Sequence, residues 1–127
     1  MKLLGIDFGE KRIGIAISDE EGRMAFPHSV LLNQKGLIEK FKKIINEEKI
    51  EKVVIGESKN FAGQPNAIME NIQKFIKEWK EKISTDIVFE PEFLTSIQAE
   101  KIQGKNEMLD ASAAAIILQS YIDKTHQ

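Results

Sequence analysis

Residues 12–18, "RIGIAIS", admit few folds. Ile13, Ile15 and Ile17 alternate with Gly14, Ala16 and Ser18, so one side of an extended segment is branched and apolar and the other is small. Residues 2–7 form a second short apolar run, and the "FGEKR" between them has the length and polarity of a turn. The two runs therefore predict an antiparallel hairpin. The first run ends on a carboxylate, Asp7, with Gly5 and Gly9 on either side. An acid at a strand end has no helix to cap, which makes Asp7 a candidate functional residue.

The remaining pattern extends the hairpin into an α/β sheet. Residues 24–32 read as a third strand, with Pro27 suiting an edge. Leu37, Ile38, Phe41, Ile44 and Ile45 follow helical spacing within 37–50, and "KVVIG" at 52–56 reads as a short buried strand. The segment 57–66 reads as a loop, with Pro65 opening a helix that runs to about Lys82. "DIVFE" at 86–90 is a further strand, Thr95 and Gln98 form a capping box before a short helix at 96–103, and an alanine-rich helix spans about 109–124. This order predicts a mixed five-stranded sheet, a three-stranded antiparallel meander plus two parallel strands, flanked by helices. Right-handed crossovers make the strands at 53–56 and 86–90 parallel to the first. Ligands of such sheets collect at the carboxyl ends of the parallel strands, where Asp7 lies.

Bulk properties fit one compact domain. The chain has 127 residues and is 42% hydrophobic, enough for one core and too short for two ordinary domains. Its apolar runs fall far short of a membrane span, and its first residues lack a signal-peptide layout, so a soluble, cytoplasmic protein is expected. The absence of cysteine excludes disulfides and thiolate chemistry. A net charge of −2 provides no global basic field, so a polyanion must be held by a local patch or through metal ions. The lysines of 40–52 and 74–82 are interleaved with glutamates and read as solvated helix faces.

Three acids fall where this layout brings segments together: Asp7, Glu92 after the strand at 86–90, and Asp110 at the start of the last helix. Clustered carboxylates repel unless a cation joins them, and hard divalent ions such as Mg²⁺ do so through oxygen. Paired ions of this kind activate water for phosphodiester hydrolysis, so the constellation suggests a nuclease. Two of these acids also have a plainer reading. Asp110 suits the N-cap or first turn of a helix, and Glu92 suits an exposed loop.

The stretches "GIDFGEKRIGIAISD", "VVIGES", "EFLTSIQAE" and "LDASAAAIILQSYID" resemble the YqgF family, known also as RuvX-like Holliday junction resolvases or pre-16S rRNA nucleases, of the RNase H-like superfamily. Asp7, Gly9, Lys11, Arg12, Gly14 and Asp19 fall on the opening motif, and the similar blocks run from residue 3 to 123. The resemblance implies an RNase H-like domain over residues 1–127 that hydrolyses phosphodiester bonds with Mg²⁺ or Mn²⁺. It implies metal-binding carboxylates at Asp7, Glu92 and Asp110, and phosphate-facing cations at Lys11 and Arg12, which by themselves read as an exposed turn pair. Lys105, before the last helix, is a candidate further phosphate contact that by itself reads as a solvated loop lysine. Its substrates would be the precursor of small-subunit ribosomal RNA or a four-way DNA junction, cut by a monomer or a homodimer. The chain departs from the family pattern in two places. Pro91-Glu92-Phe93 replaces Asp-Glu-Arg, and Gly56-Glu57-Ser58 replaces Gly-Leu-Pro. Glu90, sharing a strand face with Glu92, is a candidate for the missing acid.

Two other classes compete with an active nuclease. A nucleic-acid-binding factor with degraded chemistry would explain Pro91 and Phe93. An actin-like ATPase half shares the first-strand motif, but a single domain has no second lobe to close over a nucleotide.

Overall fold

The structure is a computed structural model and describes residues 1–9, 11–57, 67–91 and 109–125. Its elements are β1 (Leu3–Phe8), β2 (Arg12–Ser18), β3 (Ala25–Leu32), α1 (Leu37–Glu48), β4 (Lys52–Glu57), α2 (Ala67–Lys82), β5 (Asp86–Pro91) and α3 (Leu109–Thr125). The five strands form one sheet in the order β3-β2-β1-β4-β5. β1 is antiparallel to β2 and β2 to β3, whereas β4 is parallel to both β1 and β5. The meander and both parallel strands thus lie where the hydrophobic pattern puts them. The expected capping box at Thr95 and Gln98, the helix at 96–103 and Pro65 lie outside the described residues.

Alternation along the strands divides the core between the two sheet faces. Leu4, Ile6, Phe8, Ile13, Ile15, Val53 and Ile55 point to one face, where they pack with Phe41, Ile72, Phe75 and Trp79 of α1 and α2. The Trp79 indole N–H donates to the Thr85 carbonyl at 2.9 Å, so this large ring is buried with its polar edge satisfied. Leu3, Ala16 and Val54 point to the other face, against Ala114, Ile117, Leu118 and Ile122 of α3.

Two edges of this frame are shaped locally. The register between β2 and β3 shifts between Ile15 and Ala16, which pair with Ser29 and Pro27, leaving His28 as the extra residue of a bulge. Proline and bulge both stand on the edge strand, as the missing N–H of Pro27 requires. The helix expected to reach Ile50 stops at Glu48, because Lys49 turns left-handed (φ 56°) and its N–H closes on the Ile45 carbonyl. Among the described residues no helix is long and apolar enough to cross a membrane.

Candidate nuclease site

Asp7 is the penultimate residue of β1, and the register places it directly opposite Gly14 of β2. Both belong to the face covered by α3, because Ile6 and Phe8 on one strand and Ile13 and Ile15 on the other point the opposite way. The first turn of α3 comes down on this pair. A Cβ built on Gly14 would lie 1.9 Å from the Asp110 carbonyl oxygen and 2.8 Å from the Ala111 nitrogen. Gly5 permits the same closeness further along, since a Cβ there would meet Leu118 Cβ at 2.8 Å and the Ala114 carbonyl at 2.9 Å. Small residues on the strands and alanines on the helix thus let α3 lie almost on the sheet. The result is that Asp7 and Asp110, remote in sequence, stand on neighbouring strand and helix ends around one glycine.

The hairpin turn brings the cations. Arg12, the first residue of β2, places its Nε 3.1 Å from Asp110 Oδ2. The pair is partly open to solvent, the Arg12 side chain being 60% exposed and that of Asp110 28%. Lys11 is exposed beside it and forms no ion pair among the described residues. Asp110 sits inside the first turn of α3, where the positive end of the helix favours an acid, and its carboxylate also reaches Arg12.

Asn33, whose role no sequence pattern signals, fastens this turn. Its side-chain amide donates to the Gly9 carbonyl at 2.9 Å, and its backbone N–H donates to the Lys11 carbonyl at 2.9 Å. A lone asparagine after a strand reads as ordinary turn chemistry, so nothing in the sequence pointed to the clamp.

Glu92 and Lys105 lie outside the described residues. Glu90 is described and is only 3% exposed. Its Oε1 accepts hydrogen bonds from Lys124 Nζ and Ser120 Oγ, the latter at 3.0 Å, so this acid already holds a cation from α3.

Among the described residues no three His, Cys, Asp or Glu side chains form a group able to hold a metal. The described part of the site offers two carboxylates, Asp7 and Asp110. That number fits Mg²⁺, which is commonly held by one or two carboxylates and completes its shell with water and substrate phosphate. The guanidinium drawn to Asp110 also marks the position as one that attracts positive charge.

The sequence profile of the family described as "RuvX: Holliday junction resolvase" matches residues 1–124. The chain belongs to the RuvX family. A "Putative pre-16S rRNA nuclease" of Sulfurihydrogenibium sp. (strain YO3AOP1) is 36% identical over 131 residues, covering 97% of this chain and 90% of the relative. A protein of the same description from Caldanaerobacter subterraneus subsp. tengcongensis is 36% identical over 135 residues, covering 97% and 96%. Among solved structures, T. thermophilus RuvC in complex with a Holliday junction substrate superposes with a TM-score of 0.62 at 15% identity, over 99% of this chain and 96% of that one. Fowlpox virus resolvase in complex with Holliday junction DNA gives 0.61 at 14% identity over the whole of both chains. These likenesses make the fold RNase H-like, as the opening motif implied. Membership of RuvX makes the chain a nuclease, a hydrolase of phosphodiester bonds that binds nucleic acid.

Proposed function

We propose that this RuvX protein is a divalent-metal-dependent nuclease that matures the precursor of 16S ribosomal RNA. The observation that carries the chemistry is the convergence of Asp7 and Asp110 around Gly14, with Arg12 and Lys11 in the adjoining turn. Curated relatives described as pre-16S rRNA nucleases support the substrate.

Asp7 and Asp110 would hold the cation, with Glu92 as the third carboxylate. Bound there, Mg²⁺ or Mn²⁺ supplies a Lewis acid that lowers the pKa of an attacking water and neutralises charge on the phosphate. The protein's own part is positional. Closely packed α3 holds the backbone of Asp110 beside the strand position of Asp7, so that both carboxylates would serve as ligands to the ion. The Asn33 clamp holds the hairpin turn, and Lys11 and Arg12 on that turn bind the substrate backbone by charge-assisted hydrogen bonds. Local placement of these cations explains how a chain of net charge −2 can engage a polyanion.

The family description, Holliday junction resolvase, favours a second substrate, a four-way DNA junction. One experiment separates the two: an end-labelled ribosomal RNA precursor fragment and a four-way junction are incubated side by side with Mg²⁺, Mn²⁺ or EDTA, with Asp7→Asn as control. Metal-dependent cleavage of the RNA, lost in the variant, is expected. Preferential cutting of the junction would replace the RNA reading. Binding of either without cleavage, by folded protein and regardless of metal, would make the chain a binding factor.

A further inference from the structure

We propose that Arg12 is an exchangeable counter-ion: it neutralises Asp110 while the metal is absent and passes to the substrate phosphate once a divalent ion takes the carboxylate. This inference rests on the reading of Asp110 as a metal ligand and adds a role for the cation beside it.

The geometry points to exchange rather than to a permanent bridge. Backbone position is set on both sides, for Arg12 by its β2 register with Leu32 and for Asp110 by the seating of α3 over Gly14. The long guanidinium arm between them is 60% exposed, so water and salt weaken the pair and leaving it costs little. Of the two cations in the turn, only Arg12 meets an acid among the described residues. Carboxylate and phosphate are bound by the same planar donor fork, so Arg12 cannot serve both fully at once. A divalent ion on Asp110 repels the guanidinium, and a phosphate drawn to that ion offers it a new anionic partner a short swing away. Two consequences follow. In the free protein Arg12 competes with the metal and weakens its binding. With nucleic acid present, metal and substrate strengthen each other through Arg12, and this coupling is reciprocal.

The test is Mn²⁺ binding to the full chain, followed by electron paramagnetic resonance at low ionic strength, in wild type, Arg12→Gln, Lys11→Gln and Asp110→Asn. Circular dichroism verifies the fold of each. Arg12→Gln is expected to tighten Mn²⁺ binding by about threefold, the size of a partly exposed ion pair. Lys11→Gln removes the same charge from the same turn without breaking an ion pair and is expected to have the smaller effect. In a second arm, the affinity for a labelled RNA hairpin is measured with Ca²⁺ and with EDTA, and the gain from metal is expected to be larger in wild type than in Arg12→Gln. Equal tightening in the two glutamine variants, or none in Arg12→Gln, overturns the exchange while Asp110→Asn still loses metal. Unchanged Mn²⁺ binding in Asp110→Asn overturns the metal-ligand reading itself, and the exchange with it.

Discussion

The carbonyl of Asp110 occupies the space into which any side chain at Gly14 would project. Because Gly14 is also the register partner of Asp7, this one contact sets the separation of the two acids on which the proposed chemistry depends. A methyl group at this position has nowhere to go, since the atoms it meets are helix backbone rather than a flexible side chain.

Gly14→Ala is therefore expected to lift the first turn of α3. Overpacking of a rigid site costs about 1–3 kcal/mol, and contact with backbone places this variant near the upper end. Urea denaturation should show the loss, together with a fall in melting temperature of roughly 10 °C. Mn²⁺ affinity, measured well below the melting point, should fall as well. A variant of wild-type stability would mean that α3 does not lie against β2 as described.

Asp7→Asn and Asp110→Asn test the metal through stability instead of cleavage. A ligand that binds the folded state raises its melting temperature with concentration. Wild type should respond to millimolar Mn²⁺, and each variant should lose that response while keeping a cooperative transition. Nuclease activity should drop by more than about 10²-fold in both, since these carboxylates would hold the ion that activates water. A full metal-induced shift in either variant would remove that residue from the site.

Far from this site, Lys2 Nζ donates to Glu48 Oε1 at 2.9 Å and ties the start of β1 to the end of α1. That hydrogen bond holds the Glu48 carboxyl below its ordinary value of 4.5, against the opposing effect of partial burial. A carboxylate with a depressed pKa stabilises the fold fully above its ordinary value and ceases to do so as the pH falls through the lower folded value. Wild type should thus exceed Glu48→Gln in stability by about 0.5 kcal/mol at neutral pH, as expected of a partly exposed pair. The difference should close as the pH drops below 4.5. Denaturant titrations of both proteins across this range check it, and a difference that persists in strong acid would mean the charge is not responsible.

What the sequence made legible were features whose cause is local. Isoleucine alternation fixed the orientation of β2, helical spacing at Leu37, Phe41 and Ile45 gave the buried side of α1, and alanines after Asp110 marked a helix that could lie close to the sheet. Asp7 and Asp110 could be named because strand-end and helix-start positions converge in such a sheet. The pairings were not legible. Arg12 with Asp110, Asn33 with Gly9, and Glu90 with Lys124 join residues whose proximity depends on the angle at which α3 crosses the sheet or on the path of a turn. Glu90 illustrates the consequence. Alternation along the strand offered it only as a companion to Glu92, and the crossing of α3 supplies the lysine and serine that it holds.

The Glu90 contact makes the last prediction. Among the described residues β5 pairs only with β4, and the Lys124 and Ser120 bonds add a polar tie from it to α3. Removing Lys124 leaves a carboxylate that is 3% exposed with Ser120 as its remaining described partner. Buried charges deprived of a partner are costly, although the exposed position of Lys124 moderates the loss, so Lys124→Met should cost about 2 kcal/mol. Glu90→Gln keeps an acceptor for Ser120 and removes the buried charge, and should cost about 1 kcal/mol. With the charge already gone, Lys124→Met has little left to disturb, so the double variant should be more stable than the two single losses sum to, by about 2 kcal/mol. Urea denaturation of all four proteins measures this coupling. Strict additivity would show that the contact contributes nothing to holding β5 against α3.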